Sequence, residues 1–380
     1  MGKGRCIRMK LLRVRASNYK NCCDDFTIDF VAKSKKTSED KEYELQKITD
    51  DLYVYSTAAF VGKNASGKTS AIELLDCCYS ILGEFQLEDK YYNYDNVSLE
   101  IIFYHDHFLY KYTTVLKSDQ NLGSKANFTE QHIYRKQYFK SKVKDIYKDN
   151  GYEEITDLGE LPEDTSSVFF VLKKKTTRAV YFNCNGEGAD TYRLMFRAMK
   201  TYKISNEILA KVIKIFDDKI QRLEMVDEKH YKLIYQEQVK ELSDSELVYM
   251  LSSGTMKGVL LYIFVVAALK QGFDLLIDEV ENHFHKTLVE NMISFFKDKR
   301  VNTKSATLVF TTHYCEVLDI FNRQDNIWIA KSDDKIHLDN MYEKYDIRPE
   351  LLKSRQFYNN AFHTAVNYED LMALKKELMQ

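Results

Sequence analysis

An α/β fold with a largely parallel central sheet is predicted by three stretches of the sequence. The first, Phe60-Val61-Gly62-Lys63-Asn64-Ala65-Ser66-Gly67-Lys68-Thr69-Ser70, reads G-x-x-x-x-G-K-[ST]. It lies between a strand-like run, Leu52 to Val61, and a run with apolar residues at helical spacing, Ser70 to Tyr79. Strand, glycine loop and helix in that order are the context of a P-loop. The second stretch, Phe273-Asp274-Leu275-Leu276-Ile277-Asp278-Glu279, reads as a buried strand ending in two adjacent carboxylates. The third, Ala306-Thr307-Leu308-Val309-Phe310-Thr311-Thr312, reads as another that delivers His313 at its end. Strand ends beside a P-loop are where α/β sheets place their chemistry.

Each element of the loop has a physical task. The glycines let backbone N–H groups converge on phosphate oxygens, and the helix N-terminus adds its partial positive charge. Lys68 would reach the β- and γ-phosphates, and Thr69 would offer its hydroxyl to Mg²⁺. The expected phosphate-binding set is therefore Gly62, Lys63, Asn64, Ala65, Ser66, Gly67, Lys68, Thr69 and Ser70, with ATP and Mg²⁺ as ligands.

The bulk composition limits the alternatives. The chain has 380 residues, 44% of them hydrophobic, enough for one large domain or two closely associated ones. A net charge of −2 argues against a protein that coats nucleic acid uniformly, while a local basic patch stays open. Seven cysteines (Cys6, Cys22, Cys23, Cys77, Cys78, Cys184, Cys315) show neither C-x-x-C pairs nor zinc spacing, and buried free thiols in a reducing cytosol are expected. The basic N-terminus is not followed by an apolar core, and the longest apolar candidate, Val259 to Leu269, is shorter than a membrane span of roughly 18 residues. A cytoplasmic protein that does not contact membranes is the expectation.

Taken in order, residues 9–15 and 26–30 read as two strands joined by a polar turn. Lys33–Lys47 is charged and serine-rich and reads as a solvated loop. Val97–Tyr104 and Phe108–Val115 form a hairpin over His105-Asp106-His107, whose histidines belong to a solvated tip before they belong to a metal. Tyr134–Lys148 interleaves basic and aromatic residues, which suits phosphate contact and base stacking. The outer face of an antiparallel sheet is the preferred reading. Thr191–Lys200 and Ser205–Val226 carry helical periodicity, with Ile204, Ile208, Val212, Ile215, Phe216, Ile220 and Leu223 as one core stripe. No sustained heptads extend it. Leu251-Ser252-Ser253-Gly254-Thr255 then opens an apolar helix over Val259–Leu269.

A Mg²⁺–ATP site needs an anionic group for the metal's water shell, supplied here by Asp278. It also needs a base or polariser for the attacking water, the role that suits Glu279. Alternation along the strand would send the two side chains to opposite faces. His313 would contact the γ-phosphate.

In this order the motifs resemble the ABC-type ATPases, and more narrowly the soluble OLD-like and SMC-like heads. Leu251–Thr255 is similar to the family's signature loop, in the form L-S-S-G-T where L-S-G-G-Q is commonest. Leu275–Glu279 resembles the Walker B strand, Thr311-Thr312-His313 the switch histidine, and Glu281-Asn282-His283-Phe284-His285 a D-loop of E-x-H-x-H form. Leu11–Arg15, Tyr19-Lys20 and Phe26–Ile28 look like the group's first hairpin. The resemblance covers residues 9–115 and 245–335, and the middle third matches no family.

The resemblance implies a P-loop ABC-ATPase head with an N-terminal antiparallel β subdomain and an inserted α+β, partly helical lobe. Its expected divisions are 1–120, 121–244, 245–335 and a C-terminal extension, 336–380. It implies catalysis by Glu279 and His313, and a head-to-tail homodimer or higher oligomer. Ser252, Ser253 and Gly254 of one copy would act on the ATP of the other, at a helix N-terminus. Gln86, Gln131 and Gln137 are the candidates for a Q-loop. OLD-like nucleases append a metal-dependent nuclease domain. Only 45 residues follow Lys335, too few for one. The expectation is thus a slow, regulatory ATPase resembling those of split anti-phage defence systems of the PARIS and Septu type, controlling a separate nuclease effector. The alternative is an SMC-like head in DNA repair or chromosome structure. Contact with nucleic acid is left open.

Overall fold

A computed structural model describes residues 9–88, 94–118, 125–159, 161–172, 178–182, 189–282, 285–348, 350–362 and 368–379. Cys6, Cys184, His283 and Phe284 lie outside the described residues. The chain divides into two compact units, Met1–Thr176 with Thr311–Gln380, and Thr177–Phe310.

The first unit begins with β1 (Lys10–Ser17) and β2 (Phe26–Asp29), the antiparallel pair read from the sequence. The segment expected as a solvated loop instead contains a tight helical turn, Asp40–Glu44, and β3 (Leu45–Thr49). Its residues Leu45, Gln46 and Ile48 are buried among polar neighbours, which hid the strand. The run expected as one P-loop strand is two, β4 (Leu52–Tyr55) and β5 (Thr57–Val61). β4 pairs antiparallel with β3. Ser56 breaks the run, its N–H donating to the carbonyl of Glu44.

The P-loop helix α1 (Lys68–Gly83) follows. Then come β6 (Asp95–His105), β7 (Phe108–Ser118), β8 (Ala126–Gln137) and β9 (Glu153–Glu154), and the short α2 (Ser167–Leu172). The sheet order is β2-β1-β6-β7-β8-β9, antiparallel throughout. Asp106 and His107 turn the hairpin with φ of 44° and 70°, the left-handed pair that a two-residue turn requires. The antiparallel sheet therefore continues past residue 120, through β8 and β9.

The second unit contains β10 (Ala179–Phe182), α3 (Ala189–Tyr202), α4 (Asn206–Phe216), β11 (Ile220–Met225), β12 (His230–Tyr235) and β13 (Gln238–Ser243). The stripe expected to be helical throughout ends at Phe216, and Ile220 and Leu223 lie in β11. A register shift between Ile220 and Arg222 puts both inside at i, i+3 spacing, so a bulged strand mimics a helix period. Next are α5 (Asp244–Met250), opened by a Ser243–Glu246 capping box, and α6 (Ser253–Gln271), buried along most of its length. By length and composition α6 is apolar enough to cross a membrane, a departure from the sequence expectation, but 67% of its apolar window is buried in the protein, as in a core helix. Phe216 lies where a Cβ on Gly258 would stand, 2.4 Å away, so that glycine lets α4 close on α6.

β14 (Asp274–Ile277), α7 (Lys286–Lys297) and β15 (Leu308–Thr312) complete the unit, β15 running across its boundary. β10, β14 and β15 pair in parallel, and the four residues of β14 are fully buried. Such runs belong to strands covered on both faces.

The chain returns to the first unit with β16 (Ile327–Ser332), β17 (Ile336–Asn340), α8 (Met341–Lys344), α9 (Lys353–Tyr358) and α10 (Tyr368–Glu377). β16 pairs parallel with β5 and antiparallel with β17. Trp328 fixes the P-loop strand from beneath. Phe30, Tyr55 and Phe60 meet its ring edge-on at 6.3, 6.0 and 5.6 Å, the favoured aromatic geometry.

Candidate functional site

The first unit holds the glycine loop Gly62–Thr69, the expected phosphate site, between β5 and α1. Lys63, Asn64, Ala65 and Thr69 are exposed, whereas Gly62, Ser66 and Lys68 are buried. Gly62 has no room for a side chain, because a Cβ would stand 2.4 Å from the carbonyl oxygen of Ala330 and 2.6 Å from Ser66 Oγ. Gly67 has φ of +95°, and a Cβ there would stand 2.2 Å from Ile336 Cγ2. Ala65 is also left-handed, at φ 59°, a conformation that costs an alanine about 1–2 kcal/mol. The loop is thus held in a strained backbone course by its neighbours, as functional loops are.

Those neighbours are tied down in turn. The N–H and carbonyl of Ile336 bond Asn21 O and Cys23 N at 2.8 and 2.9 Å, so the turn after β1 braces the strand that packs on Gly67. Lys20, in the same turn, pairs with Glu73 of α1.

Lys68 and His313 meet at Gly62. Lys68 Nζ donates to the carbonyls of Gly62 and Lys63, both at 3.0 Å, and lies 3.3 Å from His313 Nδ1. His313 Nδ1 is also 3.1 Å from the Gly62 oxygen. Thr312 sets the turn that presents His313, its Oγ1 accepting from the N–H of Tyr314 at 2.9 Å. The two residues are 245 positions apart, and β5 and β15 deliver them to one carbonyl.

The loop fits a triphosphate. Ser66 Oγ is buried without a hydrogen-bond partner, and such orphaned groups mark a place for a ligand or an ion. No side chain caps α1, and its first turn carries no acid, which leaves the N-terminus suited to an anion. Among the described residues no three His, Cys, Asp or Glu are placed to hold a metal. A Mg²⁺ here would take most of its ligands from water and phosphate, as Mg²⁺ commonly does.

The second unit holds the two carboxylates and the Leu251–Thr255 loop. β14 ends at Ile277, so Asp278 and Glu279 lie beyond it, both half-buried. The expected strand alternation does not separate them. Glu279 instead has φ of 47°, a left-handed turn that aims its side chain, and its Oε2 accepts from Asn282 Nδ2 at 2.6 Å. Ser252, Ser253 and Gly254 are exposed at the start of α6, with Ser252 Oγ receiving the N–H of Thr255 at 3.5 Å. Among the described residues, a Cβ on Gly254 would meet nothing nearer than Ser252 Oγ at 3.8 Å, so they make no demand for glycine there.

The Q-loop candidates separate by their bonds. Gln131 is spent inside the sheet: Oε1 accepts from the Tyr112 hydroxyl (2.7 Å) and Ser167 N–H (2.8 Å), and Nε2 donates to Thr165 O (3.0 Å). Gln86 donates to Asp164, and Gln137 is exposed at the end of β8.

In Tyr134–Lys148, Arg135 and Lys136 serve the chain's own rings and carbonyls, and Lys140 and Lys148 pair with Asp51 and Asp145. Lys136 Nζ donates to the carbonyls of Asp145 and Lys148 at 2.9 Å, and burial lowers its pKa. Lys111 stands over the rings of Tyr134 and Tyr152, and Arg135 over Phe108.

Sequence reasoning missed Ala330 and Ile336, which shape the loop from β16 and β17, and Asn282, which holds Glu279. Ala330 and Ile336 act through packing alone, which leaves no local signal. Asn282 was visible only as one position of the D-loop pattern.

No protein-family model matches the chain. No curated protein matches it either. Among solved structures, an SMC head domain from Thermotoga maritima is similar at 13% identity, over 87% of this chain and 98% of that one, with a TM-score of 0.39. A structure described as the SmcHead bound to the C-winged helix domain of ScpA is similar at 12% identity, over 86% of this chain and 96% of that one, with a TM-score of 0.42.

Proposed function

We propose that the chain is an ATP-binding and ATP-hydrolysing head of ABC type that closes on its nucleotide as a pair of copies. The observation that carries this reading is the convergence of Lys68 and His313 on Gly62, in a loop whose glycines admit no side chain. Lys68 would exchange two neutral carbonyls for phosphate oxygens, a stronger, charge-assisted partnership. The backbone of Gly62–Thr69 and the start of α1 would cradle the phosphates, with His313 at the same place to contact the γ-phosphate.

Thr69 and Asp278 are the residues that would hold Mg²⁺, which would supply positive charge against the charge that develops on the phosphates. Glu279, steadied by Asn282, would accept the proton of the attacking water. Ser252, Ser253 and Gly254 would serve the nucleotide of the partner copy. That role supplies the demand for a glycine at 254 that the described residues do not make. A cytosolic location belongs to the same reading, supported by the free thiols of Cys22, Cys23, Cys78 and Cys315.

Anti-phage defence and control of a separate nuclease have no counterpart among these observations and stay outside the proposal. An SMC-like head would use the same chemistry. The test is Mg²⁺-dependent ATP hydrolysis by the purified chain and by Glu279→Gln. The variant should keep ATP bound while hydrolysing it about 10²-fold more slowly or worse, the usual share of a general base. Hydrolysis at the wild-type rate would remove Glu279 from the mechanism, and no hydrolysis by the wild type would remove the ATPase reading.

A further inference from the structure

The second unit carries a basic groove that nucleotide chemistry does not use. It lies between α3 and the turn joining β11 to β12, and encloses about 820 Å³. Among the described residues, Arg193, Arg197, Lys200, Lys203 and Lys229 line it against a single acid, Glu228. Arg193, Arg197 and Lys200 recur at helical spacing and share one face of α3. Arg193 is neutralised by Asp190 and Asp244. Among the described residues Arg197, Lys200, Lys203 and Lys229 make no ion pair. Cations crowded on one helix face repel each other, and an anionic ligand would relieve that repulsion.

The floor narrows the kind of anion. It consists of Phe196, Met199 and Ile204, all buried, with Met225 43% exposed at the mouth. Phe196 is the one aromatic ring among the described residues that line the groove, and it already stacks on Tyr231 at 5.9 Å. Sites for single-stranded nucleic acid rest on exposed aromatic faces that stack bases, and this floor presents thioether and aliphatic carbon instead. Methionine-lined floors adapt to aliphatic anchors of peptides. A cationic rim over such a floor matches a chain with carboxylates flanking apolar side chains.

We propose that this groove docks an acidic, amphipathic peptide segment of a partner protein. Its apolar side chains would enter between Met199, Ile204 and Met225, and its Asp or Glu carboxylates would pair with Arg197, Lys200, Lys203 and Lys229. None of these residues belongs to the phosphate loop, the signature loop or the Asp278-Glu279 pair, so the inference stands or falls apart from the ATPase reading.

Fluorescence anisotropy with the full chain tests it. The probes are a fluorescein-labelled peptide of Glu residues interrupted by two Leu, the same peptide with Gln for Glu, the same with Ser for Leu, and a labelled oligo(dT) strand. The acidic, leucine-bearing peptide should bind, and each altered peptide should bind at least about tenfold more weakly, a loss of roughly 1.4 kcal/mol. Arg197→Glu with Lys200→Glu, both exposed positions, should weaken it as much, and Met225→Asp should do so through the floor. ATP binding by these variants should equal that of the wild type. No binding of the acidic peptide, equal binding of its Gln version, or tighter binding of oligo(dT) lost in the same variants would overturn the proposal. The last result would make the groove a nucleic-acid site.

Discussion

Lys68→Met separates what the loop needs to fold from what it needs to bind a triphosphate. Lys68 Nζ donates to Gly62 O and to Lys63 O. Neither carbonyl is orphaned by its loss: His313 Nδ1 stays 3.1 Å from the first, and the N–H of Ser66 donates to the second at 3.3 Å. Two net hydrogen bonds are worth about 2 kcal/mol. The variant recovers part of that by no longer burying an ammonium group in a site only 5% exposed. The melting temperature should therefore fall by no more than about 4–8 °C, at roughly 2–4 °C per kcal/mol. Binding is another matter. Charge-assisted bonds to two phosphates, each worth about 1.5–3 kcal/mol, correspond to a loss of about 10²–10⁴ in ATP affinity. Equilibrium titration with a fluorescent ATP analogue, beside a thermal melt, reads both quantities. Affinity within about threefold of wild type would refute the phosphate cradle. A melting loss well beyond about 8 °C with affinity retained would make Lys68 a structural residue.

Two further substitutions test the surroundings. Gly67→Ala should destabilise the first unit by about 1–2 kcal/mol for its left-handed backbone alone, and by more through the clash with Ile336. Ile336→Ala in that background should restore part of the loss in a melting cycle, and strict additivity would show that the two do not touch. Arg323→Met strands the buried carboxylates of Asp325 and Asp40, which Arg323 bonds at 2.5 and 2.9 Å, and should cost about 3–5 kcal/mol. Burial would push the Asp325 carboxyl up, but Arg323 and the N–H groups of Ser34 and Lys33 more than offset it and hold it below its usual range. In the wild type that stabilisation is present above the unfolded-state pKa and fades as pH falls through the lowered folded value. In the variant the carboxyl rises and can protonate. The stability gap should hence narrow between about pH 7 and about pH 4, and denaturant unfolding that shows it constant would contradict the account.

What was legible in the sequence was what short spacing encodes. The G-x-x-x-x-G-K-T loop announced its strand and helix, and apolar runs of four or five residues announced β14 and β15. What was hidden depended on partners distant in sequence or on single dihedrals. Ser56 breaks β4 from β5 through a bond to Glu44 O that no propensity foretells. The bulge in β11 places Ile220 and Leu223 inside at a helix's spacing. Glu279 is aimed by a left-handed φ rather than by strand alternation, and an isolated Glu gives no hint of that. The meeting of Lys68 with His313 was implied only through the γ-phosphate that each was expected to reach, because their separation of 245 residues leaves no local mark.

The central claim, that two copies share each ATP, is tested most directly by mixing Lys68→Met with Gly254→Asp. Lys68→Met lacks the cation for the phosphates, and Gly254→Asp places a carboxylate at the exposed start of α6, where the partner's γ-phosphate would lie. Each variant alone should be inactive. In a mixed head-to-tail pair one composite site carries both lesions and the other carries neither, so ATP hydrolysis should return in part. Mixed pairs that are demonstrated by mass and yet hydrolyse no ATP would contradict the shared site.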